Sequence, residues 1–214
     1  MNYTTDEEKV EAIKQWWRDN GTAVVLGLVV AIGSVVGFKT WQGMQESQAE
    51  QASVLYTELM ETMDEPDDAR QLANKLMGEY DGTPYAELAA LALARLEMGT
   101  GNADAARVQL ESVMQSASQP EIKHVARLRL ARVLNELGQP DEALGTLDAQ
   151  GFPEAFAPMA DELRGDIHQA RGELALARKA YERALAAGVM EGRDPRLLRM
   201  KRDNLPSQGD QDDA

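Results

Sequence analysis

Cysteine is absent from the 214 residues, and histidine occurs only twice. The first absence excludes disulfides, thiolate metal sites and cysteine nucleophiles, and it leaves both reducing and oxidising compartments open. Aromatic residues are scarce as well, with three Phe, three Trp and five Tyr. Set beside an abundance of Ala, Leu, Glu and Arg, that scarcity favours helices over a sandwich or barrel of short strands. An all-α fold is expected. Basic residues are outnumbered 22 to 36, giving a net charge of -14, and from Gln42 onward the chain holds 31 acidic against 18 basic residues. Such a field repels a polyanion, whose binding requires Lys and Arg to displace counterions, so nucleic acid is not an expected partner.

Signatures of chemistry are missing too. No nucleotide-binding glycine loop, G-x-S-x-G or H-E-x-x-H occurs. An anchored hydrolase would need paired carboxylates in a cleft, and in so acidic a chain such pairs arise by chance. His124 and His168 fall in different expected hairpins and have no Cys to complete a metal set. The cluster Asp64, Glu65, Asp67, Asp68 is interrupted by Pro66 and lacks the glycine of a calcium loop, so it is read as a solvated interhelix turn. No catalytic, cofactor-binding or metal-binding residue is assigned, and the expected role is protein binding without catalysis.

What is present begins with a charge-free run of nineteen residues, Asn20 to Phe38, between Asp19 and Lys39. As a helix it would extend about 30 Å at roughly 1.5 Å per residue, enough for the hydrocarbon core of a bilayer. All three tryptophans flank it, Trp16 and Trp17 before and Trp41 after, where amphipathic rings favour the two interfaces. A buried core helix is seldom charge-free all round. A cleaved signal peptide would here have an acidic leading region, Asp6, Glu7, Glu8 and Glu11, and no small-x-small site closes the run. Lys9, Lys14 and Arg18 precede the span and Lys39 alone follows it closely, which puts the N-terminus in the cytoplasm by the positive-inside rule. Gly33 and Gly37 form a G-x-x-x-G pair, extended by Ala23, Gly27 and Ser34, on which a second membrane helix could approach closely.

Beyond the span, a helix over Gln42 to Met63 is expected to run into the soluble domain and stop at Asp64-Glu65-Pro66. A second covers Asp67 to Tyr80, and Thr83-Pro84 then supplies an N-cap with proline at the first helical position. Two more helical hairpins and a short terminal helix follow. Internal similarity is the strongest signal. Leu93-Ala94-Arg95 recurs as Leu130-Ala131-Arg132, and six residues after each arginine stands a glycine, Gly101 or Gly138. Ala106 and Leu110 then correspond to Ala143 and Leu147, a period of 37; a third copy follows at 34 with Gly165, Gly172, Ala177 and Tyr181. Each unit reads as helix, glycine turn, helix. One hairpin cannot bury its apolar face alone, so such units stack, with small residues such as Gly165 and Ala177 where helices cross. Ser118 and Glu121 have capping-box spacing around Pro120, and Pro140-Asp141 and Asp194-Pro195 each open a helix.

The spacing Gly165, Gly172, Ala177, Tyr181, Ala184 resembles the tetratricopeptide consensus, with His168 at the usual tyrosine position. The chain as a whole is similar to the YfgM-type ancillary subunits of the SecYEG translocon. The likeness is carried most by the opening Tyr3 to Trp17, with Thr5-Asp6-Glu7-Glu8 and Ile13-Lys14-Gln15-Trp16-Trp17, followed by Asn20-Gly21. The resemblance implies an inner-membrane protein with a short cytoplasmic N-terminus, one span and a periplasmic tetratricopeptide-like domain. It implies association with the translocon and with a membrane-anchored periplasmic chaperone bearing a parvulin-like domain; an adaptable methionine surface would add unfolded exported proteins as clients. The expected organisation is a cytoplasmic segment 1–19, a transmembrane helix 20–41, a tetratricopeptide-like helical-hairpin solenoid 42–205 and a disordered tail 206–214. An envelope scaffold for cell-wall or division machinery is the alternative that the same architecture allows.

In such a solenoid the concave face, built from the first helix of each hairpin, usually binds the partner. Arg95, Arg132 and Asp166 share one register position there, and Asn135 and Gln169 share another; these five are the candidate contact residues. The Lys/Asn clamp by which some tetratricopeptide domains hold a chain terminus is not matched, since Leu91 and Leu128 stand where its first lysine would be. Met98, Met114, Met159 and Met190 could supply an adaptable apolar surface, though methionines more often fill gaps in a core.

Overall fold

The computed structural model describes residues 6–186 and 195–206, and among these residues it contains nine helices and no strand. They are α1 (Asp6–Glu61), α2 (Pro66–Glu79), α3 (Pro84–Gly99), α4 (Ala103–Ser116), α5 (Pro120–Glu136), α6 (Pro140–Asp148), α7 (Ala157–Ala170), α8 (Leu174–Ala186) and α9 (Pro195–Asp203). Met190, Asp194 and the tail from 207 lie outside the described residues. The chain divides within α1 into two compact units, Met1–Glu50 and Gln51–Ala214.

The described residues of the first unit lie in one helix, which carries the apolar run. Its most apolar stretch has a mean hydropathy of 2.3, and only 6% of that stretch is buried. Leu26 at 64% and Phe38 at 61% exposure show that no protein core covers these side chains. The helix is therefore long and apolar enough to cross a membrane and is not the core helix of a soluble domain. Two of its hydroxyls bond within the helix, Ser34 Oγ donating to the Val30 carbonyl at 2.8 Å and Thr40 Oγ1 to that of Val36 at 2.9 Å. Past the run, Gln42 Nε2 donates to Glu46 Oε1 at 3.0 Å, one turn on, in a segment rich in Gln, Glu and Met, so nothing interrupts the helix there. On the other side of the run, the Trp17 ring lies against Gly21, whose missing Cβ would stand 3.3 Å from the indole.

The second unit is a stack of hairpins: α3 with α4, α5 with α6, and α7 with α8, closed by α9 against α8, while Ala52 and Leu59 at the end of α1 share a buried cluster with Ala69, Ala73 and Leu76 of α2. Neighbouring first helices meet, α3 with α5 and α5 with α7. Alanines make the close packing possible, because a methyl lets helix axes approach where a larger side chain would hold them apart. Ala69, Ala89, Ala106, Ala126, Ala143, Ala160 and Ala177 are all fully buried. Leucines at helical spacing, Leu59, Leu76, Leu110, Leu147 and Leu163 among them, fill the space between. Met98, Met114 and Met159 are half-buried against the central cluster.

The glycine turns recur in one geometry. Gly101, Gly138 and Gly172 have φ of 83°, 74° and 73°, the left-handed region that side chains with a Cβ avoid. Each donates to the carbonyl three residues back (Met98, Asn135, Gln169), and the next residue donates five back (Asn102 to Glu97, Gln139 to Leu134, Glu173 to His168). That pair of bonds is the Schellman motif, which satisfies carbonyls the helix end would otherwise leave bare.

Helix starts follow sequence at Thr83, whose hydroxyl accepts from the Ala86 amide ahead of Pro84, and at Pro140. The expected capping box of Ser118 and Glu121 does not form. Pro120 takes the first helical position, which makes Gln119 the N-cap and leaves Ser118 one residue too early; its amide donates instead to Glu87 Oε1 on α3.

Candidate partner-docking surface

A groove of about 420 Å³ opens where α3, α4 and α5 meet, lined by Ala94, Arg95, Met98, Leu110, Arg129, Arg132, Val133 and Glu136. It exists because α3 and α5 place the same small-then-arginine pair on the same face one repeat apart. Ala94 and Ala131 are buried at the crossing, and the next residue, Arg95 or Arg132, is turned outward and exposed. Arg129, one turn before Arg132, is half-buried and donates from Nη1 to the Leu91 carbonyl at 3.2 Å. Burial lowers its pKa from the usual arginine value, and the nearby charges of Arg132 and Arg95 lower it further; the guanidinium remains charged at any working pH.

The other candidates have different surroundings. Asp166, at the register of Arg95 and Arg132, accepts from Lys201 Nζ of α9 through both oxygens at 2.8 Å. Tyr181 Oη lies 2.8 Å from Asp166 Oδ1 and 2.8 Å from Gln169 Oε1. A hydroxyl has one hydrogen, which goes to the charged acceptor. Burial and the Asp166 carboxylate raise the Tyr181 pKa strongly. Its ring fills the space over Gly165, where an added Cβ would stand 2.3 Å from Cε1. Asn135 is half-buried, and its carbonyl belongs to the Gly138 turn. The structure thus brings Arg95 and Arg132 into one groove and engages Asp166 and Gln169 in the internal network of the last hairpin.

Sequence reasoning passed over Arg129, which has no counterpart one repeat earlier, since Ala92 stands there. It lies three residues before Arg132, a spacing that shares a helix face and could have flagged it. Also passed over was a wider groove of about 730 Å³ bordered by Met114, Lys123, His124, Arg127, Thr146 and Gln150. Its floor is structural. Arg127, only 6% exposed, donates to the carbonyls of Thr146 at 2.9 Å and Leu147 at 2.8 Å, and also to that of Gln150. Its guanidinium lies 3.8 Å from the centroid of the Phe152 ring, and His124 sits between Phe152 and Phe156, with ring centroids 5.6 Å and 5.3 Å away. The arginine thereby caps the end of α6, and burial lowers its pKa.

His124 on α5 and His168 on α7 stand in separate hairpins. His168 Nδ1 lies 2.6 Å from Glu173 Oε2, and no group of three metal-ligating side chains occurs among the described residues. In α1, Gly33 and Gly37 have nothing within 4 Å of where a Cβ would be, so that face of the helix is open.

Residues 14–207 match the family described as a tetratricopeptide repeat-like domain. The chain is 33% identical over 208 residues to the ancillary SecYEG translocon subunit of Escherichia coli (strain K12), covering 95% of this chain and 98% of that protein. A protein of the same name from Aggregatibacter actinomycetemcomitans is 31% identical, with 96% and 100% covered. The one from Haemophilus influenzae is 28% identical, again with 96% and 100% covered. No solved structure matches the chain.

Proposed function

Because the chain belongs to the ancillary SecYEG translocon subunits, with their tetratricopeptide repeat-like domain, we propose that it is a non-enzymatic adaptor of the protein-export machinery. The observation that carries this reading is end-to-end similarity to those subunits in a chain that joins an exposed apolar helix to a stack of hairpins. Stacked hairpins offer a long surface for protein contacts. The span holds that surface at the membrane where export occurs.

The finer reading is as follows. The protein crosses the inner membrane once, with Lys9, Lys14 and Arg18 on the cytoplasmic side and the domain in the periplasm. The open face at Gly33 and Gly37 packs on a helix of the SecYEG translocon or of a second copy. The face formed by α3, α5 and α7, with Arg95 and Arg132 exposed on it, meets a membrane-anchored parvulin-like chaperone and unfolded exported proteins. Asn135 and Asp166, half-buried, and Gln169, exposed, complete that face.

Photoreactive residues at positions 37 and 98, in intact bacterial membranes, test this. Crosslinks from 37 to translocon subunits and from 98 to a periplasmic chaperone are expected. Recovery of cell-wall enzymes alone would replace the reading with an envelope scaffold. A phosphatase fused to the C-terminus should be active, and a cytosolic reporter there should not.

A further inference from the structure

We infer that the α3/α5 groove, taken as the docking surface proposed above, selects an acidic internal segment of a partner chain, whose side-chain carboxylates are held by Arg95, Arg129 and Arg132. Three guanidinium groups border one groove of about 420 Å³, in a chain whose net charge is -14. Elsewhere in the domain arginines have found carboxylates: Arg70 with Glu97 at 2.7 Å, Arg107 with Glu111 at 2.8 Å, Arg164 with Asp148 at 2.8 Å. Among the described residues, none of the three groove arginines has a carboxylate within ion-pair distance, although Glu136 borders the same groove. Holding like charges together with no carboxylate in ion-pair contact costs free energy, which an entering carboxylate recovers. Arg129 adds to this, because it is half-buried with a carbonyl as its one recorded acceptor.

The lining also specifies what kind of anion fits. Ala94, Met98, Leu110 and Val133 supply apolar contact between the charges, so the favoured segment alternates acidic with aliphatic residues. A terminal carboxylate is not required, since Leu91 and Leu128, at the positions of the clamp lysines, are buried at 4% and 5% exposure. Three cations within an otherwise acidic surface give too small a counterion release for a polyanion or an anionic bilayer. The planar fork of arginine matches carboxylate oxygens two at a time, which a lysine cannot do.

The test uses full-length protein in mild detergent and a fluorescein-labelled peptide, blocked at both ends, with Glu interleaved among Leu and Ser; a second peptide has Gln for every Glu. Fluorescence anisotropy should show the Glu peptide binding at least about tenfold more tightly, with affinity falling as salt rises. The double variant R95Q/R132Q should lose roughly tenfold or more while melting as the parent does, and Arg129→Lys should lose part of it. Lys179→Gln, on exposed α8 surface, should change nothing. Equal binding of the two peptides, unaltered binding by the double variant, or equal competition from inorganic phosphate would each overturn the inference. Crosslinking from position 98 combined with equal peptide binding would overturn it and leave the docking surface standing. Absence of any crosslink from 98 would overturn both.

Discussion

The neighbouring first helices α3 and α5 and the closing hairpin α7/α8 are built on the same repeat yet treat their shared register position in opposite ways. At the first, Arg95 and Arg132 face an open groove and have no carboxylate within ion-pair distance among the described residues. At the second, the equivalent Asp166 is bonded to Lys201 of α9 and to Tyr181, and the ring of Tyr181 fills the space over Gly165. The difference follows from position in the stack. An internal repeat has a neighbour on each side to cover its apolar face and can leave polar positions for a partner. The last repeat must cover its own exposed end, and it does so with α9 and a buried aromatic ring. One sequence register thus encodes recognition in the middle of the array and stability at its end.

Substitutions can break or sharpen that contrast. Tyr181→Ala should cost about 3–5 kcal/mol in chemical denaturation, since it empties a fully buried site. Gly165→Ala should cost about 1–3 kcal/mol because the new methyl meets the ring, and the pair of changes should cost less than their sum, since the methyl then enters the vacated space. Gly138→Ala forces a Cβ into φ of 74° and should cost about 1–2 kcal/mol. Lys201→Met should cost about 1 kcal/mol and speed amide exchange in α9 while leaving α3 and α5 unchanged. Burial opposes the Lys201 charge, but the hydrogen bonds that it donates to Asp166 and Glu162 outweigh that and raise its pKa above the usual 10.5. Its contribution is therefore complete below the unfolded value and lost as pH rises through the folded one.

Towards the other end of the stack, the hydrogen bond from Arg70 holds the Glu97 carboxyl below its ordinary 4.5 in spite of burial, with help from Asn102. That stabilisation is present above 4.5 and disappears as pH falls through the depressed folded value, so Glu97→Gln should make the acid limb of a melting-temperature profile shallower. The smallest effect belongs to the open groove. Arg95→Gln together with Arg132→Gln should shift stability by no more than about 0.5 kcal/mol, because exposed side chains without partners contribute little to folding.

The parts of the fold that sequence revealed are those where a residue type is demanded locally. Left-handed turns need glycine, helix starts favour proline, and close crossings need small side chains, so Gly101, Gly138, Gly172, Pro84, Pro140 and Gly165 marked their own roles. The helix expected over Gln42 to Met63 continues the membrane helix without a break to Glu61, as its helix-favouring composition requires. What sequence did not reveal depends on partners distant in the chain. The engagement of Asp166 is set by Lys201, thirty-five residues on, and the burial of Arg127 by the carbonyls that end α6. Ser118 was misread as a cap because box spacing alone does not say which residue precedes the first helical one. Arg129 escaped notice because repetition was the guide, and it is not repeated.

The three Schellman turns bond only to carbonyls of the helix they terminate. The backbone of each elbow is consequently finished within its own hairpin, and only side chains reach the hairpin before it, Arg70 to Thr100, Arg107 to Gln139 and Arg171 to Asp141. A unit of this sort behaves as a cassette: duplication or deletion of a whole repeat preserves the backbone bonds of every elbow, and it changes the reach of the array without rebuilding a backbone bend. Lineages that share this anchor can therefore lengthen or shorten the arm it carries and keep the same joints.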